Sequence, residues 1–251
     1  MKIKKVFTLF LTTILYFCCL STISAQPLNN EVTSLKLVTM DLPPYGWIDE
    51  EGKPHGIIYE LTEEIGKRSG LPYTHKIRPF SRMLLELKVG NVDLLSSQSH
   101  KLALDAGDKL AIQFHIHVIA GTKKDSNIKT INDFKDKNLI YHNGAFYKQL
   151  DGLAKNITYT EGYKQSLIML NKRPNLQVGV FSEPAYYFWM KDLGLSSEDF
   201  GSVIMVEENK EQWIFVRKDF PSEGRKILKK VVEEIYNEGF YESLLKKYGK
   251  Y

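Results

Sequence analysis

Five short stretches carry the residue types that could recognise or transform a small molecule, and most follow an apolar run. Asp41-Leu42-Pro43-Pro44-Tyr45-Gly46-Trp47 opens with a carboxylate and sets two rings behind a pair of prolines. Proline fixes its own backbone torsion, so Tyr45 and Trp47 would be held in place, with ring faces to pack on a ligand and polar edges to bond it. The same rings would equally serve to close a core. In Arg78-Pro79-Phe80-Ser81-Arg82, Arg82 falls in the first turn of an expected helix. A guanidinium there could clamp a carboxylate or phosphate through two parallel hydrogen bonds; a solvated surface arginine is the commoner outcome. Ser96-Ser97-Gln98-Ser99-His100-Lys101 sets hydroxyl and amide groups in a row. Ser97 and Gln98 are candidates to offer neutral donors and acceptors to a polar solute, against the plainer reading of a polar loop. Asn143-Gly144-Ala145-Phe146 is expected to open a helix, whose free N–H groups would favour an anion. Ser182-Glu183-Pro184 opens another, with Ser182 or Glu183 either capping it or touching a ligand as well.

Catalytic and metal chemistries find little support. His115 and His117 share a strand face, but no acid or third histidine stands nearby at ligand spacing. There is no G-x-S-x-G elbow and no Walker-type phosphate loop. Gly144 alone is no dinucleotide fingerprint, and Asn156-Ile157-Thr158 is only a three-residue sequon match. No cofactor and no metal are expected.

The elements that must position these stretches alternate between strand and helix signals. Strands are expected at Leu35–Met40, Tyr73–Arg78 and Val92–Ser97. Between them, one helix carries Ile58, Leu61 and Ile65, and a second, opened by Pro79, carries Leu84 and Leu87 and stops at Gly90. Short Gly-marked connections between such units predict a mostly parallel sheet covered by helices. The middle of the chain repeats the logic. Thr130 and Asp133 form a capping-box variant. Strands are expected at Asn138–His142, Ile157–Glu161 and Gln177–Phe181, with helices around Leu150 and Leu153 and around Leu167 and Leu170, and one from Pro184 to Gly194. Two final helices place Ile227, Val231 and Ile235 on one stripe, then Leu244, Leu245 and Tyr248. Two α/β lobes without a loose linker predict a hinge, and ligands on open α/β sheets bind beyond the carboxyl ends of the strands.

Bulk properties narrow the setting. Lys2, Lys4 and Lys5 precede an apolar run from Val6 to Leu20, followed by small residues up to Ala25. This is the layout of a cleaved signal peptide over residues 1–25, and the run is shorter than the ~20 residues a membrane-spanning helix needs. Lipidation is disfavoured, because Tyr16 and Phe17, not small residues, precede Cys18. Cys18 and Cys19 are the two cysteines of the chain, so the exported part would hold no disulfide and no thiol. The net charge of +4 owes three of its lysines to this leader. The remainder is almost balanced and gives no electrostatic reason to expect nucleic acid or an anionic membrane as partner.

Several blocks together resemble the bacterial extracellular solute-binding proteins of family 3, the polar amino-acid type. The strongest is LKLVTMDLPPYGWIDEEGKPHGIIYELTEEIGKRSG, with Gly52, Gly56 and Glu60 at its turn and helix positions. RPFSRMLLELKVGNVDLL, TINDFKDKNLIYHNGAFY and GFYESLLKKYG follow in family order. The resemblance implies an α/β fold of the type II periplasmic-binding-protein kind, with two α/β lobes and a hinge of two crossover strands near His117–Lys123 and Gln212–Lys218. Lobe 1 would comprise residues 26–119 and 213–251, and lobe 2 residues 120–212. It further implies a periplasmic, monomeric, non-enzymatic protein that captures a small polar solute, amino-acid-like or another small organic anion, in an interlobe cleft for an inner-membrane ABC permease, or presents it to a sensor. Some relatives resemble dehydratases acting on cyclic precursors of phenylalanine, with Glu183 then the candidate acid. The chain departs from the family at two anchors. SSQSHKLALDAGDKLA lacks the arginine that usually grips an α-carboxylate, and Ser182 stands where an aspartate for the α-ammonium is usual. Arg82 could replace the first, and Glu183 or Asp41 the second.

Overall fold

The computed structural model describes residues 32–145 and 147–248. The expected signal peptide and Phe146 lie outside the described residues. One mixed sheet runs through the structure in the order β4-β1-β5-β10-β6-β9-β7-β8. Its strands are β1 (Leu35–Met40), β4 (Tyr73–Arg78), β5 (Leu94–Gln98), β6 (Gly107–Lys123), β7 (Asn138–His142), β8 (Asn156–Thr160), β9 (Val178–Ser182) and β10 (Phe200–Arg217). A small hairpin pairs β2 (Trp47–Ile48) with β3 (Pro54–His55).

The sheet is built from two similar halves. β1 pairs in parallel with β4 and β5, and β7 pairs in parallel with β8 and β9. In each set the first strand is central, the second is outermost, and the third adjoins the long strands β6 and β10. Those two pair antiparallel to each other, from Gly107–Arg217 to Lys123–Phe200. β10 adds β5 through Gln212–Val216, and β6 adds β9 through Val118–Thr122. The crossover strands are thus longer than expected. Their ladder slips between Met205 and Lys210, and Asn209 there adopts a φ of 51°.

Helices α1 (Ile57–Arg68), α2 (Phe80–Lys88), α3 (Lys101–Ala106), α4 (Tyr163–Lys172), α5 (Glu183–Asp192), α6 (Ser222–Asn237) and α7 (Phe240–Tyr248) cover the sheet. Helix cover buries the inner strands, and all five residues of β9 are buried. α1 buries Ile57, Ile58, Leu61 and Ile65 along one stripe. Its start requires Gly56, whose φ is 128° and whose place leaves no room for a Cβ beside the Tyr45 carbonyl.

Several expectations are corrected. Leu228, not Ile227, faces the core from α6: Leu228 is 1 % exposed and Ile227 53 %. At 100° per residue the buried arc is centred on Leu228, Val231, Val232 and Ile235, and Ile227 falls off its edge. No α-helix forms around Leu150 and Leu153; Lys148–Leu150 makes a single 3-10 turn. Asn143-Gly144-Ala145 therefore opens no helix, and the expected anion site at a helix start is absent there. The strand expected over Val92–Ser97 runs from Leu94 to Gln98, so Gln98 lies within β5 beside Ser96 and Ser97, and each pairs with β10.

Candidate functional site

The carboxyl ends of both parallel strand sets converge on one cavity. β1 contributes the turn with Leu42 and Tyr45, β4 leads into Phe80, and β5 brings Ser97, Gln98 and His100. From the other half, β7 brings His142, Asn143, Gly144 and Ala145, while Tyr163 follows β8 and Ser182 ends β9. Phe114, Ile116 and Gln212 of the crossover strands line it too. It measures about 70 Å³, a small space for a ligand site.

Contacts across the cavity hold the halves together. The Tyr45 hydroxyl donates to Ser182 Oγ at 2.6 Å, and the Trp189 indole donates to the Pro43 carbonyl at 3.3 Å. Tyr45 is fixed from behind, because its carbonyl accepts from the N–H groups of Ile58 and Tyr59 at the start of α1. Gly144, with a φ of 83°, approaches Phe80 so closely that a Cβ would come within 3.4 Å of the ring. Ser182 occupies the N-cap position of α5, but its side chain does not cap that helix; it bonds across the cavity instead. Below the cavity runs a buried chain in which Gln212 donates to Ser96 Oγ at 3.0 Å and Ser96 donates to Gln113 Oε1 at 2.6 Å.

The cavity is lined without formal charge. Among its described lining residues none is Asp, Glu, Lys or Arg. Its two histidines are held neutral. Burial pushes His142 down to about 4, against the opposing effect of its bond to the Asn143 carbonyl. Since a carbonyl only accepts, His142 Nδ1 carries the proton at that 2.9 Å contact and Nε2 is an acceptor. Burial, then the charge of Lys210, pushes His100 down. His100 Nδ1 accepts from the Ala103 N–H at 3.4 Å, so its proton sits on Nε2, 3.4 Å from Ser97 Oγ. Burial raises the phenols of Tyr147 and Tyr163.

Of the residues read from the sequence, the structure brings together Tyr45, Ser97, Gln98, Asn143, Gly144, Ala145 and Ser182. It does not bring Asp41, Trp47, Arg82 or Glu183 to the cavity. Arg82 donates from Nε to Glu86 Oε1 at 2.7 Å and, with Arg78 at 3.7 Å, compensates a buried carboxylate. Trp47 packs among His55, Phe188 and Tyr248 behind the turn. Glu183 borders a separate groove with His115, His117 and Tyr236. Asp41 is exposed, with burial of its carboxyl pushing its pKa up. Sequence reading covered Phe80 and His100 in its stretches without singling them out and missed His142 and Tyr163, although each lies within three residues of a strand's carboxyl end. No cluster of three or more potential metal ligands occurs among the described residues.

Two parallel strand sets joined by two long crossover strands define the type II periplasmic-binding-protein fold. The sequence profile of the bacterial extracellular solute-binding proteins, family 3, matches residues 36–251, and the chain belongs to that family. A probable amino-acid-binding protein of Bacillus subtilis (strain 168), YxeM, is 26% identical over 218 residues, covering 79% of this chain and 77% of its own length. An ancestral arginine-binding protein bound to arginine superposes with a TM-score of 0.70 at 21% identity, over 86% of this chain and 98% of that one. A histidine kinase sensor domain with similarity to periplasmic binding proteins superposes with a TM-score of 0.69 at 20% identity, over 86% and 96%. At these identities the two structures establish the fold alone.

Proposed function

We propose that the protein, exported by cleavage of residues 1–25, captures a small polar solute in the periplasm and hands it to an ABC permease of the inner membrane. The carrying observation is the cavity at the carboxyl ends of both strand sets, spanned by the Tyr45–Ser182 bond. The halves act as lobes, 26–119 with 213–251 and 120–212, because β6 takes on β9 as a neighbour from Val118 onward and β10 takes on β5 from Gln212 onward. The irregular ladder between Met205 and Lys210 is where they would pivot. The lining holds no carboxylate, and burial weakens its two histidines as bases, which favours capture over catalysis. No described helix is long and apolar enough to cross a membrane.

The test is thermal denaturation with added solutes: amino acids, peptides, nucleosides and organic acids. A ligand of the folded state raises Tm saturably by mass action. The expected result is a saturable rise with at least one class, weakened in Ser182→Ala. A flat response across all classes would overturn the proposal.

A further inference from the structure

Among its described residues, the wall of the cavity carries no formal charge. The stretch after β5 that lacks an arginine instead carries His100, which caps α3 and turns a neutral imidazole toward Ser97. Lys101, the nearest cation in sequence, is 85% exposed along its side chain and pairs with Asp105. At the end of β9, the neutral Ser182 meets the Tyr45 hydroxyl. An adjoining groove shares Gln98, His100 and Gly144 with the cavity and carries Lys210, which lies over the Tyr147 ring and pairs with Glu207 at 2.8 Å. What the wall does offer is rings, hydroxyls and amides: Phe80, Tyr45 and Tyr163 beside Ser97, Gln98 and Asn143.

We propose that this cleft selects an uncharged solute, one with hydrogen-bonding groups on an apolar or aromatic frame, and discriminates against free amino acids and other zwitterions. The inference rests on the solute-binding reading above. A carboxylate or ammonium enclosed here would lose its hydration and meet no opposite charge, whereas neutral donors and acceptors would find hydroxyl and amide partners. Discrimination of this kind comes from refusing the wrong ligand as much as from holding the right one. Aromatic rings give the frame of the solute its packing surface.

The experiment sets matched probes against each other on the full exported chain. Cyclic dipeptides, nucleosides and N-acetyl amino-acid amides form the neutral arm; the corresponding linear dipeptides and free amino acids form the zwitterionic arm. Saturable stabilisation is expected in the neutral arm, with at least tenfold weaker binding of the zwitterionic partner. Titration calorimetry of the best probe in two buffers of different ionisation enthalpy supplies an independent readout. The groups that could take up a proton on binding are His100 and His142, with Lys210 facing the first. A neutral solute leaves them unprotonated, so the heats agree and Kd stays flat between pH 6 and 8. Tight binding of a free amino acid, accompanied by proton uptake, overturns this inference and leaves solute binding standing. No stabilisation in either arm overturns this inference; the binding reading falls with it only if organic acids also leave Tm unchanged.

Discussion

Glu86 is a carboxylate in a place that water hardly reaches, and two arginines are its compensation. That arrangement gives Arg82 a structural duty in place of a ligand-clamping one. Arg82→Ala is expected to lower stability by about 0.5–1 kcal/mol, since the arginine is itself largely exposed and Arg78 stays in place. Solute affinity should not change; a tenfold loss of affinity would return Arg82 to the site. The histidines give a second outcome at this scale. His142 has an ordinary pKa of about 6.5 when unfolded, and its native value is about 4. The unfolded chain therefore binds the proton first. Stability is fully present above pH 6.5 and is lost as the pH falls toward 4. A Tm profile over that window should fall less steeply in His142→Gln than in the parent, and an unchanged slope would contradict the neutral assignment.

Among the elements, α6 shows how closely helical phase decides burial. Leu228→Ala should cost about 2–4 kcal/mol through lost packing and a residual cavity, and Ile227→Ala under about 1 kcal/mol; chemical denaturation of both variants measures the contrast. Much of the fold was legible because apolar periodicity and Gly or Pro punctuation marked β1, β4, β7, α1 and α5 directly. The parts that were not legible depend on distant partners. The third strand read as ending at Ser97, yet pairing with Gln212 extends β5 through Gln98. The long crossover strands read as short because the middle of β10 carries Glu207, Asn209 and Lys210, an irregular stretch that only its pairing with β6 on either side carries through. The candidate site was half legible for the same reason. Tyr45, Ser97 and Ser182 stand at strand ends recognisable from the sequence. Arg82 was misread because nothing in sequence spacing shows that Glu86, four residues on, is buried.

For the molecule as a whole, the bonds between the two halves provide a reporter. Trp189 of α5 reaches the Pro43 carbonyl only when the halves are together. A saturating solute should therefore shift tryptophan emission, and Trp189→Phe should abolish the change while leaving Tm stabilisation intact. If the change survives in that variant, it arises at Trp47, which packs on Phe188 of α5 and so also spans the halves, or at Trp213, which does not.

The latch that Tyr248 and Lys247 make on Glu60 joins the last described turn of the chain to its first helix, 188 residues apart for the tyrosine. With β10, α6 and α7 also packing onto the first half, that half remains unfinished until nearly the whole chain has been made. A polypeptide emerging amino end first must keep β1, β4 and β5 waiting for their last partner. Contacts so distant in sequence slow folding. The architecture that gathers two halves around one cavity therefore also delays the moment at which the chain, exported as proposed, can no longer be threaded through a narrow channel.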